Sequence, residues 1–222
     1  SLAVVSTYNQ IEYGIYTNKD YGNVRGLELK LDYNLNDIFI QTNYTYQFTR
    51  GNADNAAQSF NRQGSSIDKV IRFIPMSWDQ RHTFNVSLGY NTTKYGITST
   101  GYYNSGTPYT FSPQGESNLA LLNLYPNNDY KPSNYTVDLT GYINLPKIFG
   151  YQPNINLLMR NVTDRRNEYG VSSETGRSYT SVVTDQELLS HRSNFNDYDD
   201  RYKDPSMFSG PREIKIGLTI KF

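Results

Sequence analysis

Hydrophobic and polar residues alternate with period two along most of the chain, the mark of strands whose two faces meet different surroundings. The C-terminal segment carries the pattern most cleanly. Ile214, Ile216, Leu218, Ile220 and Phe222 share one parity, and Glu213, Lys215, Gly217, Thr219 and Lys221 share the other. Over 23–35, Leu27, Leu29, Leu31, Tyr33 and Leu35 oppose Glu28, Lys30, Asp32 and Asn34. Over 78–91, Phe84, Val86, Leu88 and Tyr90 oppose Asn85, Ser87, Gly89 and Asn91. Over 133–145, Val137, Leu139, Ile143 and Leu145 oppose Thr136, Asp138, Thr140 and Asn144. Weaker alternation covers 37–50, 95–105 and 152–163, and Ile11, Tyr13 and Ile15 mark a first strand near 5–17.

The pattern predicts about eight strands of about 10–14 residues, longer than the roughly 5–6 usual in globular sheets and close to the roughly 9–11 of a tilted membrane-spanning strand. The predicted connections alternate in length. Short turns fall at Asn34-Leu35-Asn36-Asp37, Asn91-Thr92-Thr93-Lys94 and Pro146-Lys147-Ile148-Phe149-Gly150, and long polar stretches fill 51–75, 106–132 and 165–210. Short turns at one end and long loops at the other describe an antiparallel transmembrane outer-membrane β-barrel with periplasmic turns and extracellular loops. Closure would pair every backbone N–H and C=O that lipid cannot satisfy. Tyr33, Tyr90 and Tyr135 fall near strand ends, where aromatic girdles sit. A soluble antiparallel sheet with one wet face also alternates. Strand length and the turn–loop asymmetry favour the barrel.

Composition then fits. Hydrophobic residues make up 36% and mean hydropathy is −0.68, which in a water-soluble domain would mean a thin core or disorder. Yet the chain holds 21 Tyr and 10 Phe, and disordered chains are poor in aromatics. A polar face lining a lumen accounts for both. No apolar run approaches the roughly 18 residues of a membrane helix. The 21 Lys+Arg balance 21 Asp+Glu, so the basic face of a nucleic-acid binder is not expected. With no cysteine there is no disulfide framework or thiolate site.

Candidate chemistry is sparse. The chain has no Gly-rich phosphate loop, G-x-S-x-G, H-E-x-x-H or Cys nucleophile, so no catalytic residue and no cofactor is expected. His82, beside Arg81, and His191, beside Arg192, lack partners at metal spacing and read as hydrogen-bonded residues rather than ligands. The acidic, aromatic stretch 194–204 lacks calcium-loop spacing and reads as a solvated loop. Sequons begin at Asn43, Asn85, Asn91, Asn134 and Asn161, mostly inside predicted strands, and read as strand and lumen composition rather than glycosylation sites.

Several short motifs, in order along nearly the whole chain, resemble the C-terminal barrel portion of TonB-dependent outer-membrane receptors of the type common in Bacteroidota. Asn23-Val24-Arg25-Gly26-Leu27-Glu28 and Trp78-Asp79-Gln80-Arg81-His82 look like strand openings of that family. Ser105-Gly106-Thr107-Pro108-Tyr109 is similar to its S-G-x-P-Y. Asn161-Val162-Thr163-Asp164 with Asn167 resembles the sequence near its penultimate strand, with Val162 where Leu is preferred. Pro211-Arg212, Gly217 and Phe222 resemble its closing strand.

The resemblance implies that 1–222 is the C-terminal part of a 22-stranded barrel whose plug domain and earlier strands lie outside this sequence, since about eight strands cannot enclose a plug. It implies active uptake of a scarce solute (siderophore, cofactor or oligosaccharide), energised by the TonB system through the plug. The implied partners are outer-membrane lipid, the barrel-assembly machinery reading Phe222 as its signal, and a surface lipoprotein as in glycan importers. Parity assigns Glu28, Lys30, Asp32, Asn85, Asp138, Asn156, Arg160, Glu213 and Lys215 to the lumen. It assigns Leu27, Leu29, Leu31, Val86, Leu88, Val137, Leu139, Ile155, Leu157, Ile216, Leu218 and Ile220 to lipid. Tyr109, Tyr125, Tyr130, Tyr198 and Tyr202 are the extracellular-loop candidates for solute contact. The rival is a small closed barrel with a structural or adhesive role, which requires the strand near 5–17 to pair with 212–222.

Overall fold

The computed structural model describes residues 2–6, 12–18, 20–58, 72–112, 125–180 and 204–221. Alternating segments become strands because each pairs with its neighbour in sequence. The long ones are β3 (Gly22–Leu35), β4 (Ile38–Gly51), β6 (His82–Asn91), β7 (Tyr95–Asn104), β10 (Asn134–Asn144), β11 (Gln152–Arg160) and β12 (Glu213–Lys221). They form one antiparallel meander in the order β12-β11-β10-β7-β6-β4-β3, and the short β5 (Ile74–Pro75) adds to the loop end of β4. There are seven long strands where about eight were expected, and their lengths run from 9 to 14 residues, with β11 and β12 one residue short of the expected range. The outer edges belong to β3 and β12, and the two are not paired with each other.

The N-terminal expectation needs correction. In place of one strand over 5–17 there is a separate hairpin of β1 (Leu2–Ser6) and β2 (Glu12–Tyr16), in register from Leu2↔Tyr16 to Ser6↔Glu12. The apolar run Leu2-Ala3-Val4-Val5 supplies a local partner for β2, and local closure costs less chain entropy than pairing across the whole sequence. Two predicted boundaries also shift. The strand expected over 78–91 starts only at His82 because Asp79 is tied into the loops, and the one over 152–163 ends at Arg160 because Asn161 turns the chain at φ 51°.

Connection lengths follow the meander. β3 and β4 are joined through Asn36-Asp37, with Asn36 at φ 51°. Residues 92–94 join β6 to β7, and 145–151 join β10 to β11, the second turning at Phe149 (φ 51°) and Gly150 (φ 87°). Because consecutive strands run in opposite directions, these three turns share one end of the sheet. The long connections 52–81, 105–133 and 161–212 share the other, where β8 (Pro108–Tyr109) pairs with β9 (Asp129–Tyr130) and a 3-10 turn spans Pro205–Met207.

Register sorts the two faces. Directly paired residues point to the same side. One such row runs Leu29, Tyr44, Phe84, Tyr103 and Tyr135, and another runs Ile143, Ile155 and Leu218. All the residues assigned to lipid by parity fall on that face, and all nine assigned to the lumen fall on the other. Among the described residues the apolar face has no second layer against it: Leu29 is 54% exposed and Leu218 66%. The buried hydrophobic residues among those described are Ile74 and Met76, both at the loop end.

Candidate functional site

The polar face is a continuous field of hydrogen-bonding groups. Lys30 and Asp32 form a 3.0 Å ion pair on β3, and Asn43 donates 2.8 Å to the Glu28 carboxylate. On the far side Arg160 reaches Glu213 at 3.4 Å, and Lys215 reaches it at 2.6 Å. Asn156 donates to the Thr219 hydroxyl at 3.3 Å. Between them, Thr136 donates 3.1 Å to the Tyr102 hydroxyl, and Asp138 accepts 2.8 Å from the Asn161 N–H.

Two open hollows of about 450 and 600 Å³ lie over this face and share Tyr102 and Asp138 as their common wall. Lys30, Asp32 and Asn85 line the first, and Arg160, Arg212 and Glu213 line the second. Six of the nine parity-assigned residues thus line the two hollows (Lys30, Asp32, Asn85, Asp138, Arg160 and Glu213), while Glu28 joins through Asn43 and Lys215 through Glu213. Asn156 sits nearer the short turns, in a third hollow with Tyr142 and Asn154. Mixed amides, hydroxyls and compensated charges can hydrogen-bond a polar solute without selecting for its charge.

The loop end is fastened by buried polar side chains, and here the quoted motifs find their physical meaning. Asp79 is fully buried. Its Oδ1 accepts from the Thr49 N–H at 2.7 Å, and its Oδ2 from the Tyr130 hydroxyl at 2.7 Å and Arg81 Nε at 3.0 Å. Arg81 also donates 2.9 Å to the Tyr130 oxygen and lies 4.3 Å over the Phe48 ring. Burial, then the hydrogen bond to Asp79, pushes the Tyr130 phenol up to about 12. His82 is a strand residue as expected: Nδ1 shares a 2.9 Å hydrogen bond with the Tyr44 hydroxyl, and its N–H donates to Ser105 Oγ.

Asn161 and Asn167 do similar work on the last long connection. Asn167 is fully buried, and its amide imitates a strand. Oδ1 accepts from the Tyr135 N–H at 3.0 Å while Nδ2 donates to the Tyr135 carbonyl at 2.9 Å. Its own backbone exchanges with Ser209. Asn161 donates to the Arg165 and Gly210 carbonyls, and Arg212 N–H donates to Asp164 at 2.9 Å. Glu168 takes Arg177 in a bidentate grip, the shortest bond 2.6 Å, together with the Ser178 N–H at 2.7 Å. Burial raises its carboxyl, and the Arg177 and Ser178 donors more than offset this, leaving it below its ordinary value.

Of the loop tyrosines, Tyr130 is committed to Asp79 and Arg81, and Tyr109 donates 3.0 Å to Asp129. Burial, then that carboxylate, raises the Tyr109 phenol to about 12. Tyr125 packs under Arg72, whose guanidinium carbon lies 4.9 Å from the ring centre. Tyr198, Tyr202, His191 and Phe222 lie outside the described residues, as does the acidic stretch apart from Asp204. Asp204 caps the 3-10 turn by accepting from the Ser206 N–H.

Reading by parity missed Asp79, Asn161 and Asn167 as fasteners. For Asn161, directly after β11, and Asp79, shortly before β6, the available signal was a short polar side chain near a strand end, where it can satisfy the last unpaired backbone groups. Asn167, well inside the last long connection, carried no such signal. No family model, curated protein or solved structure matches the chain.

Proposed function

We propose that the chain forms part of the wall of a TonB-dependent transporter in a bacterial outer membrane. In this role it contributes barrel strands, lumen lining and rim loops to the energised uptake of a siderophore, cofactor or oligosaccharide. The observation that carries the reading is the uncovered apolar face running from Leu29 on β3 to Leu218 on β12, backed by a predominantly polar face in which Leu158 and Phe39 are exceptions. Exposed apolar patches on soluble monomers rarely exceed a few hundred Å², and a face this broad calls for lipid. The two outer edges, which carry no partner strand among the described residues, fit a sheet continued by further strands, which closure in lipid demands. The small closed barrel is less well supported, since β2 pairs with β1 and not with β12.

The 222 residues hold no cysteine, so in a native polypeptide with any cysteine outside them replaced, single-cysteine variants give clean spin-label sites. Labels at Leu29, Leu157 and Leu218 are expected to collide with oxygen in reconstituted vesicles, and labels at Asp32, Asn85 and Lys215 with a water-soluble nickel complex. Equal nickel access at both sets would overturn the membrane reading. For transport, the native polypeptide should run well above 25.5 kDa when denatured, and uptake should stop on adding a protonophore. A mass near that value would leave the small barrel.

A further inference from the structure

We infer that the lipid-facing side of β7, β10 and β11 holds a seat for one anionic phospholipid at the short-turn end, an inference that rests on the membrane reading above. Across the apolar face one register row runs Tyr90, Ile97, Gly141, Leu157 and Ile216. Gly141 interrupts a row of large side chains and opens a groove of about 350 Å³ walled by Tyr95, Ile97, Leu139, Ile143, Ile155 and Leu157. Nothing in the backbone demands glycine there. A Cβ at Gly141 would meet a single atom, the Gly96 carbonyl oxygen, at 3.4 Å. The gap is therefore shaped like a place for something that is not protein, and its walls fit an acyl chain.

The polar end of that occupant follows from the turns. Asn144 clamps the 92–94 turn against β10, donating from its N–H to the Lys94 carbonyl at 2.7 Å and from Nδ2 to the Thr93 carbonyl at 2.8 Å. This sets Lys94 beside the 145–151 connection that carries Lys147, on the two sides of the strand that floors the groove. Both lysines are exposed, and neither forms an ion pair among the described residues. The remaining charge of the three short turns, Asp37, lies across β6, where its carbonyl accepts from Asn91. Exposed Tyr95, Tyr151 and Phe149 ring the same end, as aromatic side chains do at headgroup depth. An apolar groove ending in two uncompensated ammonium groups complements a lipid with a negative headgroup.

The test uses the full native polypeptide in phosphatidylcholine vesicles with spin-labelled phosphatidylglycerol or spin-labelled phosphatidylcholine, comparing their share of the motionally restricted component. The seat predicts that phosphatidylglycerol is preferred, by about fivefold for each lysine, that K94Q/K147Q abolishes the preference, and that Gly141→Leu, which fills the groove, lowers it with both lysines intact. Preference absent in the native protein, or unchanged by K94Q/K147Q, would overturn the inference. So would a preference indifferent to Gly141→Leu, which would reduce it to diffuse surface charge. Those outcomes leave the membrane reading standing, whereas a protein that shows no restricted lipid of either kind overturns both. The lysine variants sit on exposed turns and carry the test should Gly141→Leu not assemble.

Discussion

The Tyr130 hydroxyl donates a 2.7 Å hydrogen bond to the Asp79 carboxylate, joining residues 51 apart in sequence and fixing the β8–β9 rim to the start of β6. Asp79 also holds the Thr49 N–H and the Arg81 guanidinium. Asp79→Ala should therefore cost about 3–5 kcal/mol in all, because it leaves the buried Thr49 N–H without its acceptor and the partly exposed Arg81 without its counter-charge. Tyr130→Phe removes one bond to a charged group and should cost about 1.5–3 kcal/mol. Urea midpoints in detergent solution check the order. Equal midpoints for the two variants would mean that Arg81 finds another anion.

The same bond makes the rim sensitive to alkali. Tyr130 and Tyr109 are both pushed up to about 12 from an ordinary 10. A phenol whose folded value is raised contributes stability that is fully present below the ordinary value and lost as pH rises through the folded one. Protease cleavage of the long-loop end should stay flat to about pH 10 and rise between about pH 10 and 12. In Tyr130→Phe/Tyr109→Phe that pH-dependent rise should disappear over a higher baseline. A rise of the same size in the double variant would place the alkaline step elsewhere.

Asn167 should tolerate almost nothing. Its amide pairs with both backbone groups of Tyr135, so Asn167→Leu leaves a buried donor and a buried acceptor unsatisfied, at about 1–3 kcal/mol each. Asn167→Asp keeps the acceptor toward the Tyr135 N–H but presents a second oxygen to the Tyr135 carbonyl, and should be as damaging. Amide exchange at Tyr135, slow in the native protein, should quicken in both variants.

These fasteners also show what could be read from the chain and what could not. The segments 23–35, 37–50 and 133–145 lie within a residue of β3, β4 and β10, because a period of two survives wherever one face is apolar. The faces were legible for the same reason. A slip of one residue between Ile155 and Leu218 would send either Lys215 or Ile216 to the wrong side. The rim was not legible. Thr49 on β4 meets Asp79 and Tyr130 from two different long connections, and no periodicity links them. Likewise β2 shares its parity pattern with the long strands, and only the nearer run Leu2-Ala3-Val4-Val5 explains why it closes on β1.

Parity itself yields the sharpest comparison, because Leu218 and Lys215 lie on one strand of 9 residues yet face opposite ways. Leu218 pairs with Ile155 on the apolar face, and Lys215 pairs with Leu158 on the polar face beside Glu213. If the apolar face meets lipid, Leu218→Arg must bring a charge into hydrocarbon, at about 2–4 kcal/mol near the midplane and less toward either interface. Lys215→Glu keeps a charge on the wet face. It costs the exposed ion pair with Glu213 and adds a like charge beside it, a small effect that falls with added salt. Refolding yields into vesicles, read by heat-shifted electrophoretic mobility, should therefore drop for Leu218→Arg and hold for Lys215→Glu. Leu157→Arg, the same change on β11, should behave as Leu218→Arg does, since Leu157 shares that face through its pairing with Ile216. Should Leu218→Arg and Leu157→Arg assemble as well as Lys215→Glu, the exposed apolar face would have to be covered by protein instead of lipid, and the transport reading would fall with it.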